Sequence, residues 1–138
     1  MITAKQVYKI FKIIILCPGF LVTFLYACTH LKPFIDISPQ QANEIIRTNR
    51  NNPHFVILDV RTADEFNPEH LEGAINLDFK SVNFTVRIDS LDKSATYLLY
   101  CRSGGRSAKA MALMKNKSFR RVFNLKGGII RWKQESRT

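Results

Sequence analysis

Five short apolar runs punctuate the chain: Phe34–Ile37, Phe55–Arg61 with its closing charges, Ala74–Leu77, Tyr97–Tyr100 and Arg121–Leu125. Phe55-Val56-Ile57-Leu58 and Tyr97-Leu98-Leu99-Tyr100 do not alternate with polar residues, which predicts central strands of a parallel sheet covered on both faces. Helix signals fill the intervals. Ser38, Pro39 and Gln41 form a capping box with proline at the first helical position, and Ala42, Ile45 and Ile46 supply an apolar face. The turn cluster Asn49–Pro53 ends that helix. Thr62 and Glu65 make a second box, opening a short helical turn that stops near Asn67-Pro68. From Ser107 to about Lys115, Ala108, Met111, Ala112 and Met114 can face a sheet while Lys109 and Lys115 face water. Lys126-Gly127-Gly128 reads as a turn before a closing helix with Ile129, Ile130 and Trp132, the last a core anchor. The segment Ser81–Leu91 is ambiguous. Its apolar spacing is nearer two than 3.6, yet its place predicts a helix or an irregular crossover. Strands alternating with helices imply an α/β fold with a mostly parallel five-stranded sheet flanked by helices on both faces.

Length changes the picture little: 138 residues accommodate one modest domain. The net charge of +10 raises nucleic acid as a partner. No basic run exceeds two residues, however, so a soluble monomer that attracts small anions is the simpler reading, without a nucleic-acid partner.

Residues 1–27 read as a targeting segment. Lys5, Lys9 and Lys12 precede an apolar run from Ile13 to Ala27, short for a spanning helix. Its end, Leu25-Tyr26-Ala27-Cys28, resembles the lipobox of bacterial lipoproteins. That resemblance implies cleavage before Cys28, lipid attachment to Cys28, and a membrane-anchored protein facing the periplasm or cell exterior. An uncleaved signal anchor is the alternative. Residues 28–33 then form the lipidated N-terminus and spacer, and 34–138 the folded domain. With Cys17 removed and Cys28 lipidated, Cys101 has no cysteine partner. The sequence holds no CxxC pair, and His30, His54 and His70 are too dispersed to suggest a metal site; no cofactor is expected.

The candidate chemistry lies in Tyr100-Cys101-Arg102-Ser103-Gly104-Gly105-Arg106-Ser107. A strand, a tight polar loop and a helix N-terminus place backbone N–H groups and positive charge around one sulfur. Such a field favours thiolate over thiol. Gly104 and Gly105 let the backbone turn its amides inward. Arg106 can offer donors to an anionic substrate, Arg102 points outward and steers anions, and Ser107 suits the N-cap of the following helix. Ligands bind beyond the carboxyl ends of parallel strands. Asp59 and Arg61 lie at such an end and are expected to brace the cysteine loop rather than to act on substrate.

Three stretches together resemble a single-domain rhodanese: Ile57-Leu-Asp-Val-Arg61 with Glu65-Phe66 behind it; His70-Leu-Glu-Gly-Ala-Ile-Asn76; and Tyr100–Ser107 with Leu125-Lys-Gly-Gly-Ile-Ile-Arg-Trp132. The likeness spans roughly Phe34 to Trp132. It implies a rhodanese-like fold and thiosulfate sulfurtransferase chemistry. A small anionic donor, thiosulfate or polysulfide, loads sulfane sulfur onto Cys101 as a persulfide. A thiol or cyanide acceptor removes it. Arg102, Ser103, Gly104, Gly105, Arg106 and Ser107 would form the substrate cradle.

Two rival readings stay open at this point. Phosphatases of related fold place five residues between their cysteine and arginine; here four separate Cys101 from Arg106. A non-catalytic binding module is the other rival, although the cysteine loop looks intact.

Overall fold

The computed structural model describes residues 34–135. Residues 1–27, expected from sequence to be a targeting segment, and Cys28 lie outside them. In chain order the elements are β1 (Phe34–Ile37), α1 (Pro39–Thr48), β2 (Phe55–Asp59), α2 (Ala63–Phe66), β3 (Ala74–Asn76), α3 (Phe84–Asp89), β4 (Thr96–Tyr100), α4 (Gly105–Asn116), β5 (Arg121–Leu125) and α5 (Gly128–Glu135). The five strands form one sheet in the order β1-β5-β4-β2-β3. Every pairing is parallel.

β4 shows how the sequence builds the two layers. Side chains alternate across a strand. Leu98 and Tyr100 pack on one face with Ala42 of α1 and Ile129 of α5. Tyr97, Leu99 and Cys101 point the other way, among Phe84 and Ile88 of α3 and Ala110 and Met114 of α4. Both faces are therefore apolar, which is why this strand reads as an unbroken apolar run. Burying one such leucine contributes about 1.5–3 kcal/mol. Trp132 is partly buried and packs against the α1/α5 layer.

The caps form as the sequence predicts. The Ser38 hydroxyl accepts from Gln41 N–H at 3.2 Å while the Gln41 side chain accepts from Ser38 N–H at 2.9 Å. Thr62 and Glu65 repeat the arrangement for α2.

Two helix readings are corrected. α4 begins at Gly105, with Gly104 as its N-cap, rather than at Ser107. Its buried face is Ser107, Ala110 and Met114, while Ala112 is exposed. The ambiguous segment contains α3. Its near-two spacing arises because the helix carries apolar residues on opposite faces. Phe84 and Ile88 are buried, whereas Val82 and Val86 are 97% and 69% exposed.

Candidate active site

β4 delivers Cys101 to the carboxyl edge of the sheet. The cysteine is only 1% exposed, but the neighbours that enclose it are polar backbone and exposed loop residues as well as aliphatic core. Arg102, Ser103 and Gly105 are exposed. Gly104 N–H donates to Sγ at 3.2 Å, and the Ser107 hydroxyl lies 3.5 Å from the same atom.

The loop turns inward because its carbonyls are held outside. Ile129 N–H donates to Cys101 O at 2.9 Å and Ile130 N–H to Arg102 O at 3.2 Å. These donors come from the first turn of α5, whose N–H groups have no partners within their own helix. The Gly104 carbonyl is held in turn by Ala108 N–H at 3.0 Å and Asn124 Nδ2 at 3.5 Å, while the Ser107 hydroxyl, with one proton to give, lies 3.1 Å from that carbonyl and 3.5 Å from the sulfur. The Arg102 carbonyl is committed to α5, and the N–H at the other end of that peptide plane, on Ser103, faces the sulfur together with the N–H groups of Gly104 and Ser107.

Two glycines make this possible. Gly104 has φ +94°, and a Cβ there would sit 3.1 Å from Gly127 N. Gly128 has φ +60°, and a Cβ there would run into the Cys101 carbonyl oxygen and come 2.6 Å from the Arg102 carbonyl carbon. Both conformations disfavour L side chains.

The electrostatic outcome is a thiol shifted below its ordinary value. Burial opposes ionisation, and the donors overcome it: the Ser107 hydroxyl first, then the N–H groups of Ser107, Ser103 and Gly104. Ser107 therefore stands at the third position of α4 with its hydroxyl toward the sulfur, instead of capping the helix.

Arg106 is placed differently from expectation. Its Nη1 and Nη2 donate to the two oxygens of Glu65 at 2.6 and 2.7 Å, a bidentate pair across 41 positions of sequence. Those bonds hold the Glu65 carboxyl well down, at about 2, with Thr62 N–H helping against partial burial. They also raise the guanidinium, to which Cys101 adds a smaller favourable effect. Arg106 thus commits both terminal nitrogens to a carboxylate, while its charge still interacts favourably with Cys101. Arg102 is exposed.

Asp59 and Arg61 form a buried pair, with Nη2 to Oδ2 at 2.6 Å and Nε to Oδ2 at 2.8 Å. Their bonds run elsewhere than to residues 102–107. Asp59 Oδ1 accepts Arg61 N–H at 2.9 Å, and Arg61 Nη2 donates to the Glu69 carbonyl at 2.7 Å. Asn76 Nδ2 donates to the carbonyls of both residues, at 3.1 and 2.9 Å. The link to the cysteine strand is Tyr100: its ring lies 5.6 Å from the Arg61 guanidinium carbon, and its hydroxyl interacts with Asp59. Burial raises that phenol, so it stays protonated. The pair therefore braces the connection from β2 to β3 and reaches the loop through one tyrosine. A surface cavity of about 800 Å³, lined by α1, the Asn49–Asn52 turn, Phe55 and Glu72, shares no residue with the cysteine loop.

Two contributors have no site role in the sequence reading: Glu65 stands there as a capping residue and Gly128 as a turn glycine, each within a stretch that carries the resemblance. A half-buried arginine needs a counter-ion, which is a signal that one exists, but nothing in the spacing identifies it.

The fold and this loop define a class: parallel α/β domains that present a cysteine in a backbone-amide cradle at the end of a central strand. Residues 38–135 match the rhodanese-like domain family, and the chain belongs to it. It is 33% identical over 103 residues to the thiosulfate sulfurtransferase GlpE of Pseudomonas putida, covering 75% of this chain and 88% of that one. It is 29% identical over 99 residues to the probable adenylyltransferase/sulfurtransferase MoeZ of Mycobacterium tuberculosis. That match covers 72% of this chain but only 24% of MoeZ, so the chain spans about a quarter of that relative's length. Among solved structures, a rhodanese-like domain from an Anabaena sp protein superposes with a TM-score of 0.62 at 27% identity, covering 76% of each chain.

Proposed function

We propose that this protein is a sulfurtransferase that moves sulfane sulfur from a thiosulfate or polysulfide donor to a thiophilic acceptor through a persulfide on Cys101. The supporting observation is the sulfur held by inward-facing donors, Gly104 N–H at 3.2 Å and the Ser107 hydroxyl at 3.5 Å, with the thiol shifted toward thiolate. The Cys101 thiolate attacks the outer sulfur of the donor. The bond between the two donor sulfurs breaks, and its electron pair leaves on sulfite when the donor is thiosulfate. The new terminal sulfur carries negative charge that the loop amides are placed to stabilise. A thiol or cyanide acceptor attacks that terminal sulfur, and Cys101 returns as thiolate. Phosphoryl transfer is supported less well, because Arg106, the guanidinium it would need, has both terminal nitrogens on Glu65.

Mass spectrometry of the protein after incubation with thiosulfate, and separately with polysulfide, tests this. A gain of about one sulfur atom on the Cys101 peptide is expected, absent in Cys101→Ser, whose circular dichroism is unchanged. No adduct with either donor would overturn the reading. The sequence of residues 25–28 further supports export and lipid attachment at Cys28. Cys28→Ser is then expected to release the protein from membranes or block its processing; unchanged retention and size would favour an uncleaved anchor.

A further inference from the structure

The positive charge around the cysteine is smaller than its arginines suggest. Three guanidiniums flank the edge where β4 ends. Arg61 is neutralised by Asp59 in a buried pair. Arg106 is neutralised by Glu65, with side chains only 21% and 30% exposed. Arg102 alone projects into solvent, where its charge is strongly screened. A fork-on-fork pair is the strongest arrangement an arginine makes with a carboxylate, and it uses the geometry with which a guanidinium would grip a sulfonate. Glu65 is fixed in that posture from two sides: its Oε2 also accepts Thr62 N–H at 3.3 Å and the Thr62 hydroxyl at 3.2 Å.

We propose that Glu65 sets the donor preference of the Cys101 site by occupying the Arg106 fork, disfavouring dianionic donors such as thiosulfate and favouring persulfides of small thiols that carry at most one charge. This rests on the sulfurtransferase reading and narrows its donor class. A thiosulfate approaching Cys101 brings three oxygens and two negative charges, and the Arg106 guanidinium that would meet them is already held by the Glu65 carboxylate at 2.6 Å. A small organic persulfide, RS–SH, brings neither. The Cys101 thiolate attacks its outer sulfur, the S–S bond breaks, RS⁻ leaves and Cys101 holds the transferred SH as a persulfide. Only the electrophilic sulfur has to enter the amide ring, so no sulfonate grip is required. Glu65 does not touch the reacting sulfur. It is a positioning residue that acts through Arg106.

The test is the second-order rate constant for loading Cys101 from thiosulfate and from hydroxyethyl persulfide, followed by mass spectrometry. In the unaltered protein the persulfide is expected to load faster by tenfold or more; a ratio at or below one overturns the proposal. Glu65→Gln keeps a capping-box residue at the third position of α2 while removing the charge. Thiosulfate loading is then expected to rise about tenfold, with persulfide loading changed less than about threefold. A parallel change for both donors, or none, would mean that Glu65 only steadies the loop. Adding Arg106→Gln to Glu65→Gln should erase the thiosulfate gain, and a gain that survives also overturns the proposal. If neither donor loads Cys101 in the unaltered protein, it is the sulfurtransferase reading that has failed.

Discussion

Two neighbouring strand ends treat polar groups in opposite ways. At the end of β2, Asp59, Arg61 and Asn76 direct their bonds at one another and at nearby carbonyls, and the pair is almost wholly buried. At the end of β4, the carbonyls are tied back to α5 while amides and a hydroxyl converge on one sulfur. The first is a closed network, in which loss of a member leaves a buried charge without its partner. The second leaves its donors facing the one atom able to gain negative charge. Both ends lie where ligands approach a parallel sheet, so position alone does not separate support from chemistry. The direction of the hydrogen bonds does.

Perturbations should divide along the same line. The largest stability effect is expected at the closed end. Asp59→Ala strands the Arg61 guanidinium in the interior and should destabilise the domain by about 3–5 kcal/mol in urea unfolding. A loss below about 1 kcal/mol would show that the pair is not the brace described. Gly128→Ala comes next. Its methyl must displace the Cys101 and Arg102 backbone while holding φ near +60°. That predicts a loss of about 1–3 kcal/mol together with roughly tenfold or greater slowing of sulfur loading. Slower loading without a fall in melting temperature, or the reverse, would uncouple α5 from the loop.

The smallest effect belongs to Ser107→Ala. It removes the hydroxyl donor and keeps the amides. The thiolate is then less stabilised, so the thiol pKa rises. The acid limb of the pH profile for Cys101 alkylation should move to higher pH. An unmoved limb would assign the whole thiol shift to backbone amides.

Much of this was legible in advance. The apolar runs located all five strands, most plainly β2 and β4, whose coverage on both faces leaves no polar alternation to misread. The capping boxes at Ser38 and Thr62 were legible because they are built from residues three apart. α4 was misplaced at its start for a related reason. Ser107 looks like an N-cap, but a left-handed Gly104 already turns the chain into the helix two residues before it, so the serine hydroxyl is free to face the sulfur. α3 was ambiguous because Val82 and Val86 are apolar without being core, which superimposes a two-residue rhythm on a helical one.

The long-range pairings were not legible. Glu65 meets Arg106 because α2 follows β2 and α4 follows β4, and those strands are neighbours in a parallel sheet. Gly128 meets the Cys101 carbonyl because β5 lies beside β4, so the helix after β5 starts beside the cysteine loop. Local chemistry such as strand burial, caps and a cysteine before a glycine loop is written in residues a few positions apart, and the sequence alone determined it. Which carboxylate neutralises Arg106, and which helix turns the loop amides inward, depends on strand order, and only the tertiary structure decided that.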